Sequence, residues 1–269
     1  MTDTKALTEC FRDTMRQLKE DRELAERTLR MKAGTVLYLK GYEAVAPEVK
    51  SETPDVFVVR DTAFRCAAPL AMCGKTAVLN FANAYSPGGG VTQGVMAQEE
   101  CLCRSSSLYA ALTLPYIIKN YYKANQKNTG DMGTDTVIYS PGVIVFKTDD
   151  PVPENMTPRF LVDVITCAAP YCDPAKIRKF REDKLREVLA SRIRNILETA
   201  AANGADHLVL GAFGCGVFNN PPALVAGVFR ELLLDRGYGK YFKKVGFAIK
   251  AEDDNAPNLR AFLEAFSAE

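Results

Sequence analysis

Two glycine-rich runs and a pair of carboxylates are the residues of this chain best placed to do chemistry. The first run, FANAYSPGGGVTQGVMAQEE, covers Phe81 to Glu100. Within it Pro87 leads into Gly88-Gly89-Gly90, and seven residues later comes Gln98-Glu99-Glu100 at the start of a predicted helix. Consecutive glycines permit positive φ and let a backbone approach a ligand with no Cβ in the way. The second run, HLVLGAFGCGVFNNPPALV, covers His207 to Val225 and holds Gly211, Gly214 and Gly216. Asn219 and Asn220 are good helix N-caps, and Pro221-Pro222 suit a first helical turn. Strand, glycine loop and helix N-terminus in that order form an anion cradle, because free N–H groups and the helix dipole both favour phosphate. Neither run reads G-x-G-x-x-G or carries G-K-[ST], so a dinucleotide fingerprint and an ATPase loop both fit poorly. Taken singly, a GGG is also an ordinary turn, and a QEE at a helix start is also a solvated capping cluster. Together the two runs point to a nucleotide diphosphate held in a crevice beyond the strand ends.

Such turns need strands before them and helices after them. Short β-branched or apolar runs occur at Thr35–Lys40, Val56–Arg60, Thr76–Ala82, Thr136–Phe146, Phe160–Ala169, His207–Phe213 and Val245–Lys250. Several are hydrophobic throughout, which sheets covered on both faces require. Helical stretches alternate with them: DTAFRCAAPLA, QEECLCRSSSLYAALT, the Arg- and Leu-rich Arg178–Asn203, and Pro221–Leu234. This alternation predicts a three-layer α/β/α domain. Ahead of it, Thr4 to Met31 lacks Pro and Gly and carries the helical stripe Leu7, Phe11, Met15, Leu18, which predicts one or two amphipathic helices. Asn125–Asp135 and the proline-shaped Thr148–Pro158 read as exposed loops.

Composition removes several function classes. Lys+Arg is 34 against Asp+Glu 33 over 269 residues, so the net charge of +1 gives no general nucleic-acid or membrane surface. A local site can still be positive. The eight cysteines, Cys10, Cys66, Cys73, Cys101, Cys103, Cys167, Cys172 and Cys215, contain no C-x-x-C, and the C-x-C at Cys101 and Cys103 is too little for zinc. Reduced, mostly buried thiols, a charged N-terminal stretch and no membrane-length apolar run predict a cytoplasmic protein. Ser–His–Asp and Cys–His catalysis both need a histidine. The only one, His207, begins a core strand. No His, Asp or Glu cluster has metal-ligand spacing, and no cofactor is expected.

At these residues the sequence resembles the poly(ADP-ribose) glycohydrolases, in the smaller bacterial-type branch built on a macrodomain. That signature is GGG, a short spacer, then QEE, and it stands here as Gly88-Gly89-Gly90 and Gln98-Glu99-Glu100. The flanks VLNFANAYSPGGG and LCRSSSLY are similar too, and GAFGCGVFNN resembles the macrodomain diphosphate loop with its aromatic residue, Phe218. The likeness spans Thr76 to Phe229 and extends to the whole chain, since the bacterial branch also has helices before its macrodomain. It implies a mixed central sheet, with residues 1–33 as a helical extension packed on a catalytic macrodomain, 34–269, in one domain overall. It implies that Glu100 is catalytic and that Glu99 fixes the ribose beside the scissile bond. Gly88, Gly89 and Gly90 would wrap the diphosphate and distal ribose from one side, and Gln98 would also bind substrate. Gly214, Cys215, Gly216 and Val217 would contact them from the other, with Phe218 packed on the ribose and Asn83 touching the distal ribose. The partners implied are poly(ADP-ribose) or ADP-ribose and ADP-ribosylated proteins.

Cleaving a ribose–ribose O-glycosidic bond passes through an oxocarbenium-like state, and glycosidases commonly flank the bond with two carboxyls about 5–9 Å apart. Adjacent residues on a helix diverge, so Glu99 and Glu100 are not expected to flank one bond. One carboxyl must then serve as acid and base, with the substrate diphosphate stabilising the cation. A carboxyl in the first turn of a helix is favoured as the anion. Desolvation and a bound diphosphate push the other way, so Glu100 is expected to become a competent acid once substrate binds. Arg104 could pair with it at i,i+4, which would weaken that role. The rival readings are a hydrolase of another ADP-ribose linkage, a mono-ADP-ribosyl group or acetyl ester among them, a non-catalytic ADP-ribose-binding macrodomain, and an unrelated nucleotide-binding protein. By analogy with the bacterial branch, cleavage is expected from chain ends.

Overall fold

In the computed structural model, which describes residues 3–39, 47–128, 132–150, 152–172 and 182–267, a strand forms at each of the seven apolar runs. They are β1 (Val36–Tyr38), β2 (Asp55–Val59), β3 (Thr76–Phe81), β4 (Val137–Lys147), β5 (Asn155–Cys167), β6 (His207–Leu210) and β7 (Lys244–Ala248). The helices are α1 (Thr4–Glu20), α2 (Arg22–Gly34), α3 (Ala63–Ala71), α4 (Gln98–Ser105), α5 (Leu108–Leu112), α6 (Pro115–Ile117), α7 (Lys123–Lys127), α8 (Glu182–Ala202), α9 (Pro222–Arg230) and α10 (Pro257–Phe266). The strands join in one sheet, ordered β1-β4-β5-β3-β6-β7-β2. From β5 to β2 all neighbours are parallel, while β4 and β1 extend the sheet antiparallel. The sheet is mixed.

Period-two alternation along the strands divides the core into two layers. Ala77, Leu79, Ile165, Cys167, Leu208 and Leu210 pack with the apolar faces of α8, α9 and α10. Val78, Val162, Val164 and Val209 point the other way and pack with residues of α1 to α5. Because both faces are covered, the strands must be apolar throughout, which is what made them visible as runs. The fold is a three-layer α/β/α sandwich of the macrodomain kind. Each large side chain fully buried in it contributes about 1.5–3 kcal/mol.

Local departures from the expected pattern have identifiable causes. The expected QEECLCRSSSLYAALT helix breaks into α4 and α5, because Ser106 forms a β-bridge with Val145 and the Ser107 N–H donates to the Ile144 carbonyl. The N-terminal segment is two helices, broken at Asp21, whose carboxylate caps α2 by accepting from the Leu24 N–H at 3.1 Å. In α1, Thr14 rather than Met15 takes the buried position beside Leu7, Phe11 and Leu18. The expected Thr148–Pro158 loop is cut short because β5 begins at Asn155, opposite Lys147 of β4. Similarly, α7 takes in Asn125 to Lys127 of the other expected loop. Parts of four expected segments, Lys40, Thr129–Asp131, Pro151 and Arg178–Arg181, lie outside the described residues. Among the described residues no helix is long and apolar enough to cross a membrane.

Candidate active-site cleft

The parallel strands all end at one edge of the sheet, where an α/β fold leaves a crevice. There a cleft of about 500 Å³ opens, lined by Phe81, Ala82 and Asn83 after β3, by Gly214 to Phe218 after β6 (Cys215 excepted), and by Ala248 to Lys250 at β7. Glu99 and Glu100 line it as well. The two glycine turns therefore face each other across one space.

The side chain of Gln98 fixes α4 to β3: its Oε1 accepts from the Phe81 N–H at 2.9 Å, and its Nε2 donates to the Leu79 carbonyl at 2.7 Å. These two bonds tie the helix to the strand, and with one Nε2 hydrogen left over Gln98 also lines the cleft. Glu99 is 3% exposed. Its Oε2 accepts from the Asn83 N–H at 2.7 Å and its Oε1 from Asn80 Nδ2 at 3.3 Å. Burial pushes its carboxyl up to about 8, against the pull of the donors from Asn83, Asn80 and Gly88. Asn80 Oδ1 is buried without a partner. Turning that amide over would give a protonated Glu99 an acceptor. Glu100 differs. Its Oε1 accepts from the Gly90 N–H at 2.8 Å, and its Oε2 has no protein partner among the described residues.

The two carboxyls do not diverge as helix neighbours were expected to. Cα–Cβ bonds tilt toward a helix N-terminus, so both carboxyls reach back to Gly89. A Cβ there would collide with Glu100 Oε1 and lie 3.2 Å from Glu99 Oε2. Gly89 and Gly88 both have positive φ, +56° and +64°, and neither lines the cleft, whereas Gly90 does. Asn83 lines the cleft, and its Oδ1 accepts from the N–H groups of Tyr85 and Ser86 at 2.8 and 3.0 Å, shaping the turn.

In the second turn Gly214 is held at φ +73°, and an added Cβ would strike Ala169 and Asn220. Gly216 has open space where a Cβ would be. Phe218 meets Tyr171 edge-to-face at 5.9 Å, and Val217 projects outward, 77% exposed. Cys215 does not line the cleft, and burial raises its thiol to about 12. The expected N-caps are not caps. Pro221 occupies the N-cap position of α9. The Asn220 amide instead donates to the Pro170 and Gly214 carbonyls at 2.9 and 3.0 Å, tying the turn to the end of β5. Asn219 stands at φ +55°, its amide donating to the Val217 carbonyl.

The sequence did not reveal the far wall of the cleft, formed by Asp61, Thr62, Asp149, Lys250 and Asn258. Asp149 accepts from Thr62 Oγ1 at 2.7 Å and from the Phe64 N–H at 3.0 Å, so it fixes the start of α3 from a distant loop. Burial raises its carboxyl above the ordinary value. Lys250 is exposed and forms no ion pair among the described residues, leaving one positive charge at the cleft. No motif links these positions, because they come from four separate elements. Arg104 does not pair with Glu100: its Nη1 donates to the Val95 carbonyl at 2.7 Å and its Nη2 to Cys101 Sγ at 3.5 Å. All eight cysteines are free, and among the described residues no three His, Cys, Asp or Glu side chains converge.

A family model described as the catalytic domain of microbial-type PARG matches residues 7–148. Among solved structures, the poly(ADP-ribose) glycohydrolase of Thermomonospora curvata is 31% identical with a TM-score of 0.85, over 97% of this chain and 100% of that one. The same protein bound to the inhibitor ADP-HPD matches equally well. The poly(ADP-ribose) glycohydrolase of Deinococcus radiodurans, in complex with ADP-ribose, is 34% identical with a TM-score of 0.75, over 88% of this chain and 96% of that one. No curated protein matches.

Proposed function

Since the chain belongs to the microbial-type poly(ADP-ribose) glycohydrolase family, we propose that it hydrolyses the ribose–ribose O-glycosidic bonds of poly(ADP-ribose) and releases ADP-ribose from chain ends, in the cytoplasm. The observation that carries this reading is the asymmetry of the two carboxyls. Glu99 has both oxygens held by the protein, whereas Glu100 has one anchored and one free at the cleft.

Glu100 gives a proton to the leaving ribose oxygen as the bond to the anomeric carbon breaks. Water then adds to the oxocarbenium-like carbon, and its proton returns to Glu100. Glu99, fixed by Asn80 and Asn83, holds the adjoining ribose. A neutral Glu99, as its raised carboxyl favours, repels the diphosphate less than two anions would. Gly90 and Gly216 bring backbone to the diphosphate, Phe218 packs on its ribose, and Asn83 meets the terminal ribose. Strands about 4.8 Å apart put the β2 and β7 ends far enough from β3 to take the nucleoside. In this reading residues 1–33 are an extension braced on the catalytic unit, 34–269, and the polymer is presented on ADP-ribosylated proteins.

The test offers purified protein poly(ADP-ribose) and mono-ADP-ribosylated peptides in parallel. ADP-ribose is expected from the polymer alone, and release only from the peptides would overturn the assignment. Glu100→Gln is expected to keep ADP-ribose binding within about threefold and to lose turnover by about 10³-fold or more. Persisting turnover would remove Glu100 from its role.

A further inference from the structure

Arg104 is one of two fully buried arginines among the described residues, at 0% exposure, yet unlike Arg192 it has no carboxylate partner among them. Its Nε is buried without a hydrogen bond. A buried guanidinium left unpaired is costly, and packing alone would be served better by an apolar residue of the same length. Its contacts suggest what it does. Nη1 donates to the Val95 carbonyl, the Val95 N–H donates to the Gly90 carbonyl at 3.2 Å, and the Gly90 N–H donates to Glu100 Oε1. A series of hydrogen bonds thus leads from the end of α4 through Val95 and Gly90 back to the carboxyl at its start. Gly90 and Val95 are packed so closely that a Cβ on Gly90 would strike the Val95 side chain, so a shift in one moves the other. Behind them, Thr14 Oγ1 of α1 donates to the Arg104 carbonyl.

We infer that Arg104 is a positioning residue for the hydrolysis: through Val95 and Gly90 it sets where the Glu100 carboxyl stands. This rests on the glycohydrolase reading above. Full-length Arg104→Lys, with one compact donor group in place of a planar fork, and Arg104→Met, with none, are compared with the parent on poly(ADP-ribose) and for ADP-ribose binding. The expected result is a kcat lowered about tenfold in Arg104→Lys and further in Arg104→Met, as small misplacements of a reacting group produce. KM and the ADP-ribose Kd stay within about threefold, a split that general loosening of the fold would not give. If Arg104→Met fails to fold, Arg104→Lys decides alone. Parent-like kcat in Arg104→Lys, or a rise confined to KM, overturns the inference. An inactive parent instead overturns the glycohydrolase reading itself.

Discussion

Burial of a carboxyl beside glycines turns Glu99 into a pH-dependent element of stability. Its folded-state value, about 8, lies above the ordinary 4.5. The folded protein therefore holds a proton that the unfolded chain releases. The stability Glu99 contributes is full below pH 4.5 and is lost as the pH rises to about 8. Glu99→Gln removes that loss, so its Tm relative to the parent should climb by several degrees between pH 5 and pH 8, as thermal melts across that range would show. A constant difference would mean that Glu99 titrates normally in the fold. The glycines divide just as sharply. Gly216→Ala meets no atom and has no positive φ to violate, so its Tm should stay within about 2 °C of the parent. In the proposed binding mode its methyl would enter the diphosphate's space, and calorimetry should find ADP-ribose binding weakened tenfold or more, about 1.4 kcal/mol. Unchanged binding would place the ligand elsewhere.

At the scale of elements, the loop between Gly90 and Gln98 depends on a helix that lines none of the cleft. α1 lies behind the turn at Val91–Gln93 and behind α4, with Phe11 stacked edge-to-face on Tyr109 at 4.9 Å. Gly94, at φ +72°, is the closest approach: a Cβ there would run into the backbone of Thr4. Gly94→Ala should therefore cost about 2–4 kcal/mol, from left-handed strain and overpacking combined, and polymer turnover should fall in parallel. Denaturant titration measures the first, and retention of parent stability would show that the helix does not bear on the loop. α4 itself has Ala97 at its N-cap with no side-chain bond. Its acidic first turn is directed past the helix end to the strand and turn.

Over the whole molecule, site chemistry and acid stability sit at opposite edges of the sheet. The cleft lies where the parallel strands end, whereas His207 is the first residue of β6. Its ring is buried, and that burial, with Lys243 and Lys244 nearby, keeps its folded-state value below 6.5. The folded protein thus resists a proton that the unfolded chain accepts, so the stability is present above pH 6.5 and is lost as the pH falls below it. Replacing it, as in His207→Gln, should flatten the decline in Tm below pH 6.5 and leave ADP-ribose affinity at neutral pH unchanged. An equally steep acid decline in the variant would assign the effect to other groups.

Much of this was legible along the chain because it is local. Strands buried on both faces must be hydrophobic throughout, and a backbone that turns sharply beside a carboxyl must use glycine, so the seven strands, both turns and the Gln98-Glu99-Glu100 triplet declared themselves. Other features depend on partners far away in sequence. Whether Arg104 pairs with Glu100 or with Val95, how Gln98 ties its helix to a strand, and whether Asn220 caps a helix or ties its turn to the end of β5 are decided by geometry across elements. Asp149, Lys250 and Asn258 carry no motif and meet at the cleft only because β4, β7 and α10 bring them there. Spacing sets which groups can lie side by side on one element. Only packing of the three layers sets which donors remain for them, and therefore which of two adjacent glutamates is held fast and which is left free.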